Sequence, residues 1–225
     1  METPAVIAEN IRKIQAVIAA SANPEAILVA VSKNQTVEAI KAAYDCGIRD
    51  FGENRVQEFQ SKYPVLPADI RWHFIGSLQK NKVKYICGKV FLVHSVDSLS
   101  LACEIDRRAG QSGLTVKVLL EVKTSPEEGK QGVETAAAPL LVSEILKLEH
   151  LDFQGLMTMA PFVEDREPII SSFRALKKVK QIIEDTGETA VKYLSMGMSD
   201  DFQIALNEGT SIIRIGRGIF GERRG

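Results

Sequence analysis

The stretch Ile27-Leu28-Val29-Ala30-Val31-Ser32-Lys33-Asn34-Gln35-Thr36-Val37-Glu38-Ala39-Ile40-Lys41-Ala42-Ala43-Tyr44 carries both periods on which the fold depends. A short β-branched apolar run ends at Ser32-Lys33, and helical spacing begins at Val37 behind Thr36, whose hydroxyl is placed to cap the first turn. This is a strand followed by a helix. Upstream, Val6/Ile7, Ile11, Ile14 and Val17/Ile18 recur at three and four, which predicts an amphipathic helix ending before Asn23-Pro24. Downstream, strand-like runs recur near 48–52, 72–75, 90–94, 115–122, 152–157, 191–195 and 211–215, eight with the first. Helical patterns lie between them, clearest at 98–109, 136–148, 169–183 and 201–208.

Strands alternating with helices imply parallel strands and right-handed crossovers. Eight such units in 225 residues suit a single (β/α)8 barrel of the TIM type, with an extra N-terminal helix, better than an open doubly wound sheet. No linker, repeat or composition shift breaks the alternation, so residues 1–225 are expected to be one domain.

Apolar residues at 45% and charged residues at 25% are ordinary for a soluble globular protein. Lys plus Arg (28) nearly balance Asp plus Glu (29), which argues against a general affinity for nucleic acid or an anionic membrane. The N-terminus lacks a signal-peptide pattern and no apolar run approaches a membrane span, so a cytoplasmic location is expected. Cys46, Cys87 and Cys103 have neither disulfide nor zinc spacing and are expected to be mostly buried thiols.

In a barrel of this class the chemistry sits where strands end. The polar residues that follow each run are Lys33, Glu53-Asn54, His73 with Gly76-Ser77, Ser95, Lys123, Met157-Thr158, Ser195 to Ser199, and Gly216-Arg217-Gly218. Lys33 closes a nearly apolar strand, where partial burial favours the neutral, nucleophilic amine. Taken alone, a strand-end lysine more commonly snorkels to water. The glycines of Ser195-Met-Gly-Met-Ser199-Asp-Asp and Arg214-Ile-Gly-Arg-Gly allow backbone amides to approach an anion, near the strands where barrels commonly place phosphate. Asp200 and Asp201 must then point away from it. Arg214 in an apolar strand needs an acceptor, which a buried carboxylate would equally supply, and a lone His73 is more often a hydrogen-bonded core residue than a catalyst.

Taken in order, Ala-Val-Ser-Lys33, Phe-Gly-Glu-Asn54-Arg-Val-Gln-Glu, Trp-His73-Phe-Ile-Gly-Ser-Leu-Gln, His-Ser95-Val-Asp, Gly-Leu-Met157-Thr-Met, Ser195-Met-Gly-Met-Ser199 and Arg214-Ile-Gly-Arg-Gly-Ile-Phe-Gly resemble the pyridoxal phosphate homeostasis protein family over residues 10–222. That family is similar to the barrel domain of alanine racemase, a fold-type III pyridoxal phosphate (PLP) protein. The resemblance implies Lys33 as the Schiff-base lysine, Ser199 with the backbone of Gly216 and Arg217 around the phosphate, and Arg214 facing the pyridine nitrogen. It places Asn54, His73, Met157 and Ser195 along the pocket. Ser77 stands where the family commonly has His, and Arg217 where Thr or Ser often supplies a hydroxyl.

The expected function is a non-catalytic carrier that holds pyridoxal 5′-phosphate, supplies PLP-requiring apoenzymes and so affects amino-acid and keto-acid balance. A guanidinium at the ring nitrogen donates but does not accept a proton, which disfavours the pyridinium used in carbanion chemistry. A chain ending just past the last strand is also expected to lack the second domain from which racemases draw an acid/base tyrosine. A PLP-dependent amino-acid racemase and a cofactor-free Schiff-base aldolase remain the alternatives. A monomer is expected. Lys130 in the 121–132 loop, with Lys123 competing, is the candidate for a second amine that assists release.

Overall fold

In a computed structural model, which describes residues 2–125, 127 and 131–221, the run Ile27–Val31 is the first strand, β1, of a closed parallel barrel. The other barrel strands are β2 (Asp50–Glu53), β3 (Arg71–Phe74), β4 (Leu92–Val96), β5 (Val116–Lys123), β7 (Leu151–Met157), β8 (Tyr193–Ser195) and β9 (Ile212–Ile215). Each pairs with its neighbour in parallel, and the barrel shuts where Ala30 of β1 meets both Phe51 and Ile215. A short strand that alternation alone did not reveal, β6 (Val133–Glu134), adds to the outside of β5 through Val122 and Lys123. Two residues carry too little pattern to be read from sequence.

Helices α2 (Val37–Asp45), α3 (Val56–Lys62), α4 (Val83–Ile86), α5 (Leu99–Gln111), α6 (Ala138–Ile145), α7 (Arg166–Asp185), α8 (Phe202–Asn207) and α9 (Arg217–Phe220) follow the strands. Their starts are local chemistry. Thr36 Oγ1 accepts from Ala39 N at 3.3 Å to cap α2, and Asp165 accepts from Glu167 N at 3.1 Å to cap α7. The expected N-terminal helix is α1 (Pro4–Ala19), capped by Thr3 and started by Pro4. It buries Ile7, Ile11, Ile14 and Ile18 against α2 and α9, each contributing about 1.5–3 kcal/mol when withdrawn from water. Asn10 Nδ2 donates to Ile219 O at 3.0 Å and ties the helix to the end of the barrel.

The main core lies between the sheet and these helices, around Phe51, Phe59, Trp72 and Phe173. The barrel interior is different. Its apolar part is small, with Val29, Leu92, Leu119, Met157 and Ile212, and buried polar residues fill much of the rest. Barrel interiors are dominated by branched aliphatic side chains, so this substitution is informative. Gly155 (φ +150°) has no room for a side chain, since a Cβ there would sit 2.0 Å from Tyr193 O, and it is where β7 shifts register against β5.

The cysteines depart from expectation. Cys46 and Cys87 are half-buried and Cys103 is exposed, because α5 directs Leu101, Ala102 and Ile105 inward and turns Cys103 outward. Among the described residues no cluster of His, Cys, Asp or Glu could hold a metal, and no helix is long and apolar enough to cross a membrane.

Candidate functional site

At the C-terminal mouth of the barrel lies a cavity of about 630 Å³. Lys33, Asn54, Ser199, Arg214, Gly216 and Arg217 line it together, although they come from four different loops or strands. Ile75, Met159, Phe162 and Met198 add an apolar wall. A flat ring fits such a space, with polar groups at its edges.

Lys33 stands two residues beyond β1, and both its neighbours are clamped. Ser32 Oγ donates to Glu53 Oε1 at 2.7 Å, and Asn34 N donates to Glu58 Oε2 at 2.6 Å. Asn34 has φ of 59°, a left-handed conformation that Asn tolerates better than most residues. Lys62 joins the clamp, donating to Glu53 (2.6 Å), Glu58 (2.9 Å) and Ser32 O (2.8 Å) from a position only 7% exposed. Burial pushes the Glu53 carboxyl up despite Lys62. Burial acts the same way on Glu58, but the Asn34 N–H and Lys62 outweigh it and hold that carboxyl below its ordinary value. The segment bearing Lys33 is therefore held by a buried ionic cluster behind the cavity wall.

Asn54 follows β2 and is packed tightly under Gly76, where an added Cβ would lie 2.2 Å from Asn54 O. Its Oδ1 is buried and has no partner among the described residues. At the opposite end, Ser199 Oγ accepts from Gly218 N at 3.1 Å, which brings the β8 and β9 loops together. Only Asp201 turns away; Asp200, against expectation, lines the cavity together with Ser199 and Arg217. Asp200 pairs with Arg217, and Asp201 accepts from Met198 N at 2.5 Å within its own loop. Burial raises the Asp201 carboxyl, with the Met198 N–H and Arg214 opposing.

Arg214 is 5% exposed, and its guanidinium is anchored twice, on Ser195 Oγ and, at 2.9 Å, on Thr158 O. Burial lowers it to about 10, with Asp201 and Glu121 opposing, so it remains cationic at neutral pH. Glu121, 3% exposed, is pushed up to about 7 by burial, which Arg214 only partly counters.

Three residues expected along the pocket sit beneath it. His73 and Ser195 are buried in the barrel interior, and Met157 packs among its apolar side chains. Below the floor His73 Nε2 meets Asp50 Oδ1 at 3.0 Å, His73 Nδ1 meets His94 Nε2 at 2.9 Å, and His94 Nδ1 meets Ser195 Oγ at 2.9 Å. Sequence reasoning chose Ser95 in this strand and overlooked His94. Strand alternation was the available signal: Leu92 and His94 share the inward face. Lys62 and Asp50 were missed as functional groups because nothing local distinguishes them from surface charges, and Glu53, noted at its strand end, gave no sign of its buried partner Lys62.

Of the two release lysines, Lys123 Nζ lies 3.4 Å from Glu134 Oε1 on β6, and Lys130 lies outside the described residues. Ser77 Oγ accepts from Gln131 Nε2 at 2.9 Å.

The alanine racemase N-terminal domain family matches residues 4–224. A pyridoxal phosphate homeostasis protein of Aquifex aeolicus is 44% identical over 198 residues, spanning 88% of this chain and 87% of the relative. One from Caenorhabditis elegans is 40% identical over 223 residues, or 92% and 90% of the two chains. Among solved structures, PipY of Synechococcus elongatus PCC7942 with PLP bound superposes with a TM-score of 0.86 at 35% identity, covering 96% of this chain and all (100%) of that one. An alanine racemase of Clostridium difficile 630 shares the fold, with a TM-score of 0.77 at 15% identity, and this chain covers 58% of it.

Proposed function

The chain belongs to the pyridoxal phosphate homeostasis protein family, and from that premise we propose that it holds pyridoxal 5′-phosphate covalently on Lys33 and acts as a carrier and regulator of the free cofactor. The observation that carries this reading is the convergence of Lys33, Asn54, Arg214, Ser199 and Gly216 on one cavity of about 630 Å³ with an apolar wall. The residues present fit the group: a primary amine for the aldehyde, a hydroxyl and backbone amides for the phosphate, and an unpartnered buried amide oxygen at Asn54. Arg214 would offer a donor to the ring nitrogen. Bound PLP supplies an electrophilic aldehyde and, in enzymes, an electron sink.

The chain's own groups support a non-catalytic role. A cationic Arg214 has no acceptor for the proton that would make the ring a strong sink. The ionic clamp around Ser32 and Asn34 holds the segment bearing Lys33 at the mouth, where a bound aldehyde would be open to outside amines. Recipient apoenzymes, a monomeric state, one domain over residues 1–225 and a cytoplasmic location complete the proposal. The racemase-like fold keeps one enzymatic alternative in view, which loss of optical activity from a panel of L-amino acids would establish.

The direct test is absorbance of purified protein before and after borohydride, followed by peptide mass mapping. A yellow species that bleaches on reduction and maps to Lys33, and is lost in Lys33→Ala, is expected. The same band at full occupancy in Lys33→Ala, with reduction mapped elsewhere, would defeat the assignment.

A further inference from the structure

Five buried side chains cross the barrel beneath the cavity in one unbroken hydrogen-bonded line: Arg214, Ser195, His94, His73 and Asp50. His94 and Ser195 are fully buried, and the line leaves the barrel only where Asp50 meets the half-exposed Arg71 at the opposite end. We propose that this line is a positioning device for the cofactor site, in which His94 and Ser195 fix the guanidinium of Arg214 as a rigid donor toward the ring nitrogen. The proposal rests on the reading that PLP occupies the cavity.

The chemistry of the two ends fixes the direction of every link. A guanidinium has donors and no acceptor, while an ionised carboxylate accepts and does not donate. Ser195 must therefore accept from Arg214 and donate to His94 Nδ1. His94 then carries its proton on Nε2 and donates to His73 Nδ1, and His73 carries its proton on Nε2 and donates to Asp50. No link can reverse unless an end changes charge. Burial works to raise Asp50, but its hydrogen bonds from Arg71 and His73 prevail and hold it below its ordinary value. Burial disfavours protonation of both rings; at His73 it prevails over the opposing Asp50, and at His94 the neighbouring His73 and Arg214 add to it.

The geometric consequence is specific. Arg214 uses one terminal nitrogen on Ser195 and the other on Thr158 O, so two anchors define the guanidinium plane. A planar fork held at two points loses little freedom when it donates once more, which is how preorganisation raises affinity. Removing the His94 acceptor frees the Ser195 hydroxyl to reorient and loosens that anchor. His73, His94 and Ser195 therefore act through Arg214, and none of them lines the cavity.

The test compares PLP with 1-deaza-PLP, in which C–H replaces the ring nitrogen, on wild type, His94→Leu, His94→Gln and Ser195→Ala. Gln offers a donor and an acceptor on opposite sides as neutral His does, whereas Leu offers neither. His94→Leu is expected to weaken PLP about tenfold while changing the deaza analogue little, with His94→Gln recovering most of the loss. Ser195→Ala, a smaller change if the Leu variant fails to fold, is expected to show the same selective loss. Side-chain 15N spectra of the apoprotein should place both His73 and His94 in the Nε2–H form, with His150 as the chain's third histidine for reference. Equal losses for both ligands, or either ring in its Nδ1–H form, would overturn the positioning role while leaving the cofactor reading intact. Wild-type protein that binds neither ligand would overturn that reading and this one with it.

Discussion

Replacing Glu121 with Gln should stabilise the apoprotein at pH 8 and leave it nearly unchanged at pH 5. Glu121 is 3% exposed on β5, and burial raises its carboxyl from 4.5 to about 7 against the pull of Arg214. In the unfolded chain it loses its proton near 4.5, whereas the folded protein keeps that proton until about 7. Between these values the folded state binds the extra proton, so the stability this group confers is present at low pH and falls as pH rises through the window. Each tenfold difference in proton affinity is about 1.4 kcal/mol, so the full span corresponds to about 3 kcal/mol. Gln has no proton to lose, and its advantage over Glu should grow by most of that amount, about 2.5 kcal/mol, from pH 5 to pH 8. For a chain of this size the gap corresponds to roughly 5–10 °C in Tm. Urea unfolding of both proteins at pH 5, 6, 7 and 8, without ligand, measures it. A stability difference that stays flat across the series, or that grows toward acid, would refute the account of Glu121.

Lys62→Ala should destabilise the fold by about 3–5 kcal/mol, because it strands the buried Glu53 carboxylate, and denaturant titration reads this directly. The same variant should slow PLP attachment to Lys33, whose flanking residues lose their clamp; unchanged attachment kinetics in the surviving folded fraction would separate the clamp from Lys33. Ligand at 100 times its dissociation constant should stabilise the protein by about 2.7 kcal/mol, and PLP should shift Tm far more than pyridoxal at equal concentration. Equal shifts would count against phosphate binding at Ser199 and Gly216. Lys130→Ala should leave the absorbance of bound cofactor nearly intact yet slow its transfer to an excess of apoenzyme several-fold, and transfer at the wild-type rate removes Lys130 from release.

The sequence by itself determined what depends on neighbours along the chain. Apolar runs at period two, separated by helical stripes such as Ile7, Ile11, Ile14 and Ile18, require strands and helices in alternation, and their number implies a closed barrel. The strand-end rule then placed Lys33, Asn54, Ser199 and Gly216 on one rim, because successive strand ends in a parallel barrel point the same way. Tertiary structure decided which of the remaining polar residues face each other. Asp50, His73, His94, Ser195 and Arg214 are separated by 19 to 101 residues where they touch, and although Arg214 stands out in its apolar strand, no local pattern names its partners. Only closure of the barrel brings them into line. The Glu53, Glu58 and Lys62 cluster is equally silent in sequence, since a lysine four residues after a glutamate on a helix reads as an exposed pair. Local chemistry chooses secondary structure through short-range sterics and periodicity. Whether a charge is solvated or buried beside a partner depends on the packing of distant strands, which no local pattern specifies.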